Sequence, residues 1–208
     1  MALSETTHAL EFLLSEAPGG RSRESGTLNS GQSCVAGEVL GRIMTAAGAK
    51  VSGTGDGTIG AVTVGPAAQV GVYVLVGIAE SGNAGTFSVT APDGTALPNL
   101  TVAAAYASQH INLTVADGAN DWDIGDVIHV TVTGGDYEAL DPAATTGEQT
   151  ACAILIGTTD ATSADTGIAV IARDAEVAGS LLTWPSGISD TNKALATSRL
   201  AARGIILR

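Results

Sequence analysis

A chain of 208 residues with 45% apolar side chains, 3% aromatics and 27 glycines has room for one large or two small domains, with cores built from Val, Ile, Leu and Ala. Its net charge of −12 is unevenly laid out, because Val51–Ala172 holds thirteen carboxylates and no Lys or Arg. Such a surface repels phosphate backbones, which excludes nucleic acid as a partner, and no apolar run is long enough for a membrane-spanning helix, so no membrane is expected either.

Met1–Asn29 reads as an extended arm of Ser, Thr, Glu, Gly and Arg with one apolar knot, Phe12-Leu13-Leu14. The knot is either a strand tucked onto its own domain or a segment that orders on a partner by adding a strand to a sheet edge. Ala17-Pro18-Gly19-Gly20 breaks regular structure. Its opening residues, MALSETTHALEF, lack the basic and apolar regions of a signal peptide, so synthesis in a reducing cytoplasm is expected. Gly31–Met44 reads as turn then strand, and Gly48–Gly60 as a glycine-rich turn or linker. Gly53-x-Gly55-x-Gly57 lies outside any strand–loop–helix unit, so a phosphate cradle is not its reading.

Val62–Thr133 is a β unit. Val72–Ala79, Thr86–Thr90, Leu100–Tyr106, Ile111–Val115 and Val127–Thr133 are strand-like and separated by turn residues, a spacing that favours a sandwich or barrel. In the last of these, Ile128, Val130 and Val132 share one face, and His129 lies on the other, toward solvent. Ala151–Ile156 and Ile168–Ala172 are short apolar runs around a small-polar loop, again strand signals, and the stretch ends at Leu182-Thr183-Trp184-Pro185. A helix follows, capped by Ser189 or Asp190, with Ala196 and Leu200 facing the core and Gly204 ending it. Ile205–Leu207 reads as a final strand.

The best constellation for chemistry is Asp117, Asp121, Asp123 and Asp126, whose spacing suits calcium's oxygen preference. The twelfth position of a loop starting at Asp117 is Ile128 rather than Glu, and strands flank it, so an acidic turn is the expectation and no metal is assigned. His8, His110 and His129 form no HxxxH pair, and no GxSxG elbow occurs. No enzyme and no cofactor are expected. Cys34 and Cys152 form no CxxC pair. A disulfide between them cannot be inferred from sequence, and two buried free thiols are the expectation.

Taken in order, Ala17–Gly20, Leu140-Asp141-Pro142, Thr145-Thr146-Gly147, the run at 153–155, Asp160-Ala161-Thr162, Leu182–Pro185, the short helix and the terminal strand resemble the head decoration proteins of tailed bacteriophages, the lambda-type capsid-cementing family. The resemblance covers about residues 1–50 and 137–208. It implies a mainly β fold: a small β-rich decoration domain with one or two short helices (30–50 and 137–208), an extended N-terminal arm (1–29), and an inserted β-sandwich or barrel-like domain (51–136) projecting outward. It also implies a homotrimer at local three-fold positions on the outer surface of a capsid, with the major capsid protein as partner. The arm role falls on Thr6, Thr7, Phe12, Leu13 and Leu14 with Pro18, Gly19 and Gly20 as pivot, while Leu182, Trp184 and Pro185 lie in the core near the trimer contact. The alternative is a recognition module, in which the inserted domain binds a glycan or host surface through turn loops and Trp122.

Overall fold

The computed structural model describes residues 7–208. In chain order its strands are β1 (Leu13–Glu16), β2 (Arg23–Leu28), β3 (Gln32–Cys34), β4 (Val39–Ser52), β5 (Thr63–Val64), β6 (Gly71–Ala79), β7 (Thr86–Thr90), β8 (Ala96–Thr101), β9 (Ala105–Ala107) and β10 (Ile111–Thr114). They continue with β11 (Val127–Ala139), β12 (Ala153–Leu155), β13 (Thr159–Ala161), β14 (Thr166–Ile171), β15 (Ala175–Val177) and β16 (Ile205–Leu207), and helix α1 (Asp190–Ala202) precedes β16. The fold is mainly β. The chain divides into unit 1 (Met1–Ile43, Gly135–Ala144, Glu148–Arg208) and unit 2 (Met44–Gly134, Thr145–Gly147). The division lies within strands β4 and β11 rather than at 51 and 136, because both strands run continuously from one unit into the other.

In unit 1 the strand order β2-β14-β12-β4-β11 closes into a barrel through a parallel bridge between Tyr137 and Leu28. Where β4, β12 and β14 meet, consecutive residues point to opposite sides, and both sides are buried. Leu40, Leu155 and Val170 fill one core with Leu28 and Tyr137. Val39, Ile154 and Ile171 fill a second core with Phe12, Val177, Leu200 and Ile205. Burial on two faces is why these strands read as continuous apolar runs instead of alternating ones. The second core is covered by the sheet β1-β15-β16 and by α1. Ser189 caps α1 by accepting from the Asn192 amide at 3.2 Å, its buried face is Ala196 and Leu200, and Gly204 at φ +78° ends it.

Arg23–Leu28, expected as part of an arm, is β2, paired with β14 from Thr166↔Leu28 to Ile171↔Arg23. Its polar sequence offers no strand period of its own; a partner far along the chain supplies the ladder. Unit 2 is built of two sheets, β11-β6-β7-β8 with the end of β4, and β5-β10-β9. Between them lie Tyr73, Leu75, Phe87, Leu100, Ile111, Trp122, Ile128 and Val130. The expected strand Leu100–Tyr106 is two strands, β8 and β9, parted by a turn in which Ala103 takes φ +60°.

Candidate functional site

The N-terminal segment is docked from its first described residue. Thr7 Oγ1 donates to the Leu181 carbonyl at 3.2 Å. A turn with Leu10 at φ +65° then reverses the chain, and Phe12 drops into the core of unit 1 with no exposed surface. Gly37 makes this docking fit: it sits at φ +80°, and a Cβ there would stand 2.9 Å from the Leu181 carbonyl oxygen and within 3.5 Å of both Phe12 and Thr7. Phe12 is therefore a core residue of unit 1, not part of a free arm. The chain has only two phenylalanines, and a chain so poor in aromatics gains most by burying each one; that scarcity is the signal by which Phe12 could have been assigned to the core. Thr6 lies outside the described residues.

After Phe12, β1 pairs with β15 through Leu13↔Val177, Ser15↔Glu176 and Glu16↔Ala175. The register slips between Leu13 and Ser15, so Leu14 is the extra residue of a bulge and stands 56% exposed. Among the described residues β1 is the outer strand of its sheet, with β15 in the middle and β16 beyond it. Arg23 fixes the end of β1 with two hydrogen bonds to the Glu16 carboxylate, at 2.6 and 2.9 Å, and these bonds hold that carboxyl below its ordinary range. Pro18–Gly20 follows as a single 3-10 turn, with Gly19 and Gly20 at φ +75° and +73° and open space around both. Ser22 anchors the exit of the turn. It is fully buried, and its Oγ accepts from the Ala17 amide and donates to the Asp174 carbonyl.

Leu182 is buried and Trp184 half-buried, both packed around the same core as Phe12, and Pro185 is half-buried. Lys193 Nζ lies 5.3 Å from the centre of the Trp184 ring, within cation–π range. Trp184 Nε1 is buried with no hydrogen-bond partner among the described residues.

The acidic loop of unit 2 is built to hold backbone. Asp126 is buried and accepts from the amides of Thr54, Gly55 and Asp123 at 2.9 to 3.1 Å. Burial pushes its pKa up, but these amides outweigh that and leave it below the ordinary value. Asp123 accepts from Thr54 Oγ1. Asn120 donates to Asp56 through its amide and side chain. Asp117 and Asp121 are half-buried on the same loop, and among the described residues no three His, Cys, Asp or Glu side chains are grouped to hold a metal ion. Gly53, Gly55 and Gly57 are glycines because Asp126, the Trp122 ring and the Ala116 carbonyl occupy the space of their side chains. Trp122, read from sequence as a surface aromatic for recognition, is instead in the core of unit 2, 1% exposed, edge-on to Phe87 and donating to the Ala116 carbonyl. With Tyr73, Phe87 and Tyr106 it supplies the large rings of a core otherwise built from aliphatic side chains.

These features define the class: a two-unit β protein whose distinctive surface is a sheet margin beside a docked N-terminal segment. The family model for the bacteriophage lambda head decoration protein D matches residues 2–205, and the chain belongs to that family. No curated protein matches the sequence. The family is one of structural capsid proteins, which gives this chain a structural role at the surface of a phage head.

Proposed function

We propose that the protein cements a phage capsid as a homotrimer at local three-fold positions, with the segment ahead of β1 adding a strand to the major capsid protein. The observation that carries this reading is the place of β1: it is the outer strand of its sheet, and the segment before it is anchored through Thr7 and Phe12. That makes the arm shorter than the sequence suggests, since the stretch from Thr7 through Leu28 packs into unit 1. Leu14 on the bulge and the Trp184-Pro185 corner offer exposed or half-exposed apolar surface for capsid and trimer contacts. The role requires no catalytic group and no cofactor. Synthesis in the host bacterial cytoplasm suits two buried thiols that form no bridge.

Each main-chain hydrogen bond to a capsid strand contributes only about 1 kcal/mol. Three arms on one trimer raise the effective concentration of each, so weak contacts hold together, and occupancy stabilises the shell by mass action. Removal of residues 1–6 tests the reading without touching Phe12 or β1. The truncated protein is expected to keep its melting temperature and its oligomeric state while losing at least about tenfold in affinity for expanded shells. Shell binding at full affinity would overturn the arm assignment.

A further inference from the structure

One face of the unit 2 sheet carries no charge. With Met44, Tyr73, Leu75, Phe87, Val89, Ile128, Val130 and Val132 turned into the core, alternation turns the intervening residues outward. On β6 these are Val72, Val74, Val76 and Ile78; on β11 they are Val127, His129, Thr131 and Thr133. Thr45, Ala47, Ala49 and Val51 continue the face on β4, and Thr86, Ser88 and Thr90 on β7. The register lines them up in rows, Thr131 beside Val72, His129 beside Val74 and Thr90, Val127 beside Val76 and Ser88. No Asp, Glu, Lys or Arg occupies an outward position on these four strands. Val72, Ile78 and Val51 are 38%, 46% and 54% exposed. Ser88 already satisfies its hydroxyl on the Val76 carbonyl, so covering it leaves no donor stranded.

The rest of unit 2 is acidic. Asp56, Glu80, Asp93, Asp117, Asp121, Asp123 and Asp126 are opposed by Lys50 alone, and these carboxylates all lie on loops outside the strands of this face. Two anionic copies repel wherever carboxylates meet; the neutral face is the surface on which they can approach. Strands about 4.8 Å apart, with the 9 residues of β6 and 5 of β7 and about 8 each of β4 and β11 at about 3.3 Å per residue, give roughly 480 Å² per copy. A pair buries about 950 Å², the size of a weak contact.

We propose that this face docks against the same face of a second copy of the chain, sheet on sheet. A patch that meets itself generates a two-fold pair, so it links chains of different trimers rather than chains within one. This setting rests on the decoration reading, which places many copies side by side on one shell. There a weak pairing becomes effective because its partners are already held close.

Sedimentation velocity on the full chain between about 5 and about 500 μM tests it, since an interface this small binds in that range. The wild-type mass is expected to double across the range. Val72→Glu and Thr131→Glu each place a carboxylate opposite its own copy and are expected to raise the doubling concentration at least about tenfold; Ala84→Glu, in an exposed turn off the face, leaves it unchanged. Melting temperatures check the folding of each variant, and Thr131, already exposed, carries the test if Val72→Glu unfolds. A wild-type mass that stays constant, or face variants that associate like wild type, would overturn the proposal. Loss of adsorption to cells by the face variants without any change in mass would overturn it too, and assign the face to a foreign partner. Shell binding is measured separately: wild-type protein that doubles but ignores shells refutes the decoration reading and leaves the self-docking face standing.

Discussion

Replacing Phe12 with alanine separates a docked N-terminal segment from a detachable one. Phe12 has no exposed surface and shares its core with Val39, Ile154, Ile171 and Leu200. Truncation to alanine gives up roughly 120 Å² of buried apolar area, about 3 kcal/mol at about 25 cal/mol per Å². The vacated cavity raises the cost to about 4 kcal/mol, within the usual span for Phe→Ala in a core. For a chain of this size about 3 °C of melting temperature goes with each kcal/mol, so Tm is expected to fall by about 12 °C. Leu14→Ala, on the exposed bulge two residues away, is expected to cost under about 0.5 kcal/mol. Urea unfolding and differential scanning calorimetry of the two variants against wild type supply the measurement. A Phe12→Ala cost below about 1 kcal/mol would show that the segment through β1 is not part of the folded body, and the boundary drawn at Thr7 would fail.

Two further outcomes follow from the titratable groups. Asp126 has a lowered pKa when folded, so it contributes stability that is fully present above the unfolded carboxylate value and is lost as pH falls through the folded one. Asp126→Asn is therefore expected to cost about 1–3 kcal/mol at pH 7, with the gap to wild type shrinking below about pH 4 in urea titrations; a gap independent of pH would refute the capping role. Burial pushes the thiols of Cys34 and Cys152 up to about 12 and about 11, and the thiolate is the reactive form. Both are expected to resist iodoacetamide at pH 8 in the native protein and to react in denaturant, as read by mass; rapid native labelling would show the core to be open.

Local signals carried most of unit 2 and the C-terminal region into view. The alternation in Val127–Thr133 and the caps at Ser189 and Gly204 are written in neighbouring residues, and the structure places them as read. What stayed hidden depends on distant partners. β2 is polar up to its last residue, Leu28, and becomes a strand against β14. β4 runs on through Thr45–Ser52, rich in Ala and Gly, beside β11, after its pairing with β12 has ended at Leu40. Phe12 suited a free arm and a core equally well as sequence, since an apolar knot has no direction until Gly37 and Leu181 present a surface to it. Trp122 misled for the converse reason: turn residues surround it, yet its ring reaches back under them to fill the core.

The middle strand β15 is flanked by β1 from the beginning of the chain and β16 from its end. A growing polypeptide thus leaves the ribosome with β1 waiting for β15, which is not made until residue 177, and the sheet is not completed until β16 follows at residue 207. Unit 2 is complete by residue 147 and is free to mature while unit 1 is still half-synthesised. Contacts spanning almost the full chain form slowly, which makes the late closure of β1 and β16 onto β15 the step most exposed to misassembly at high expression.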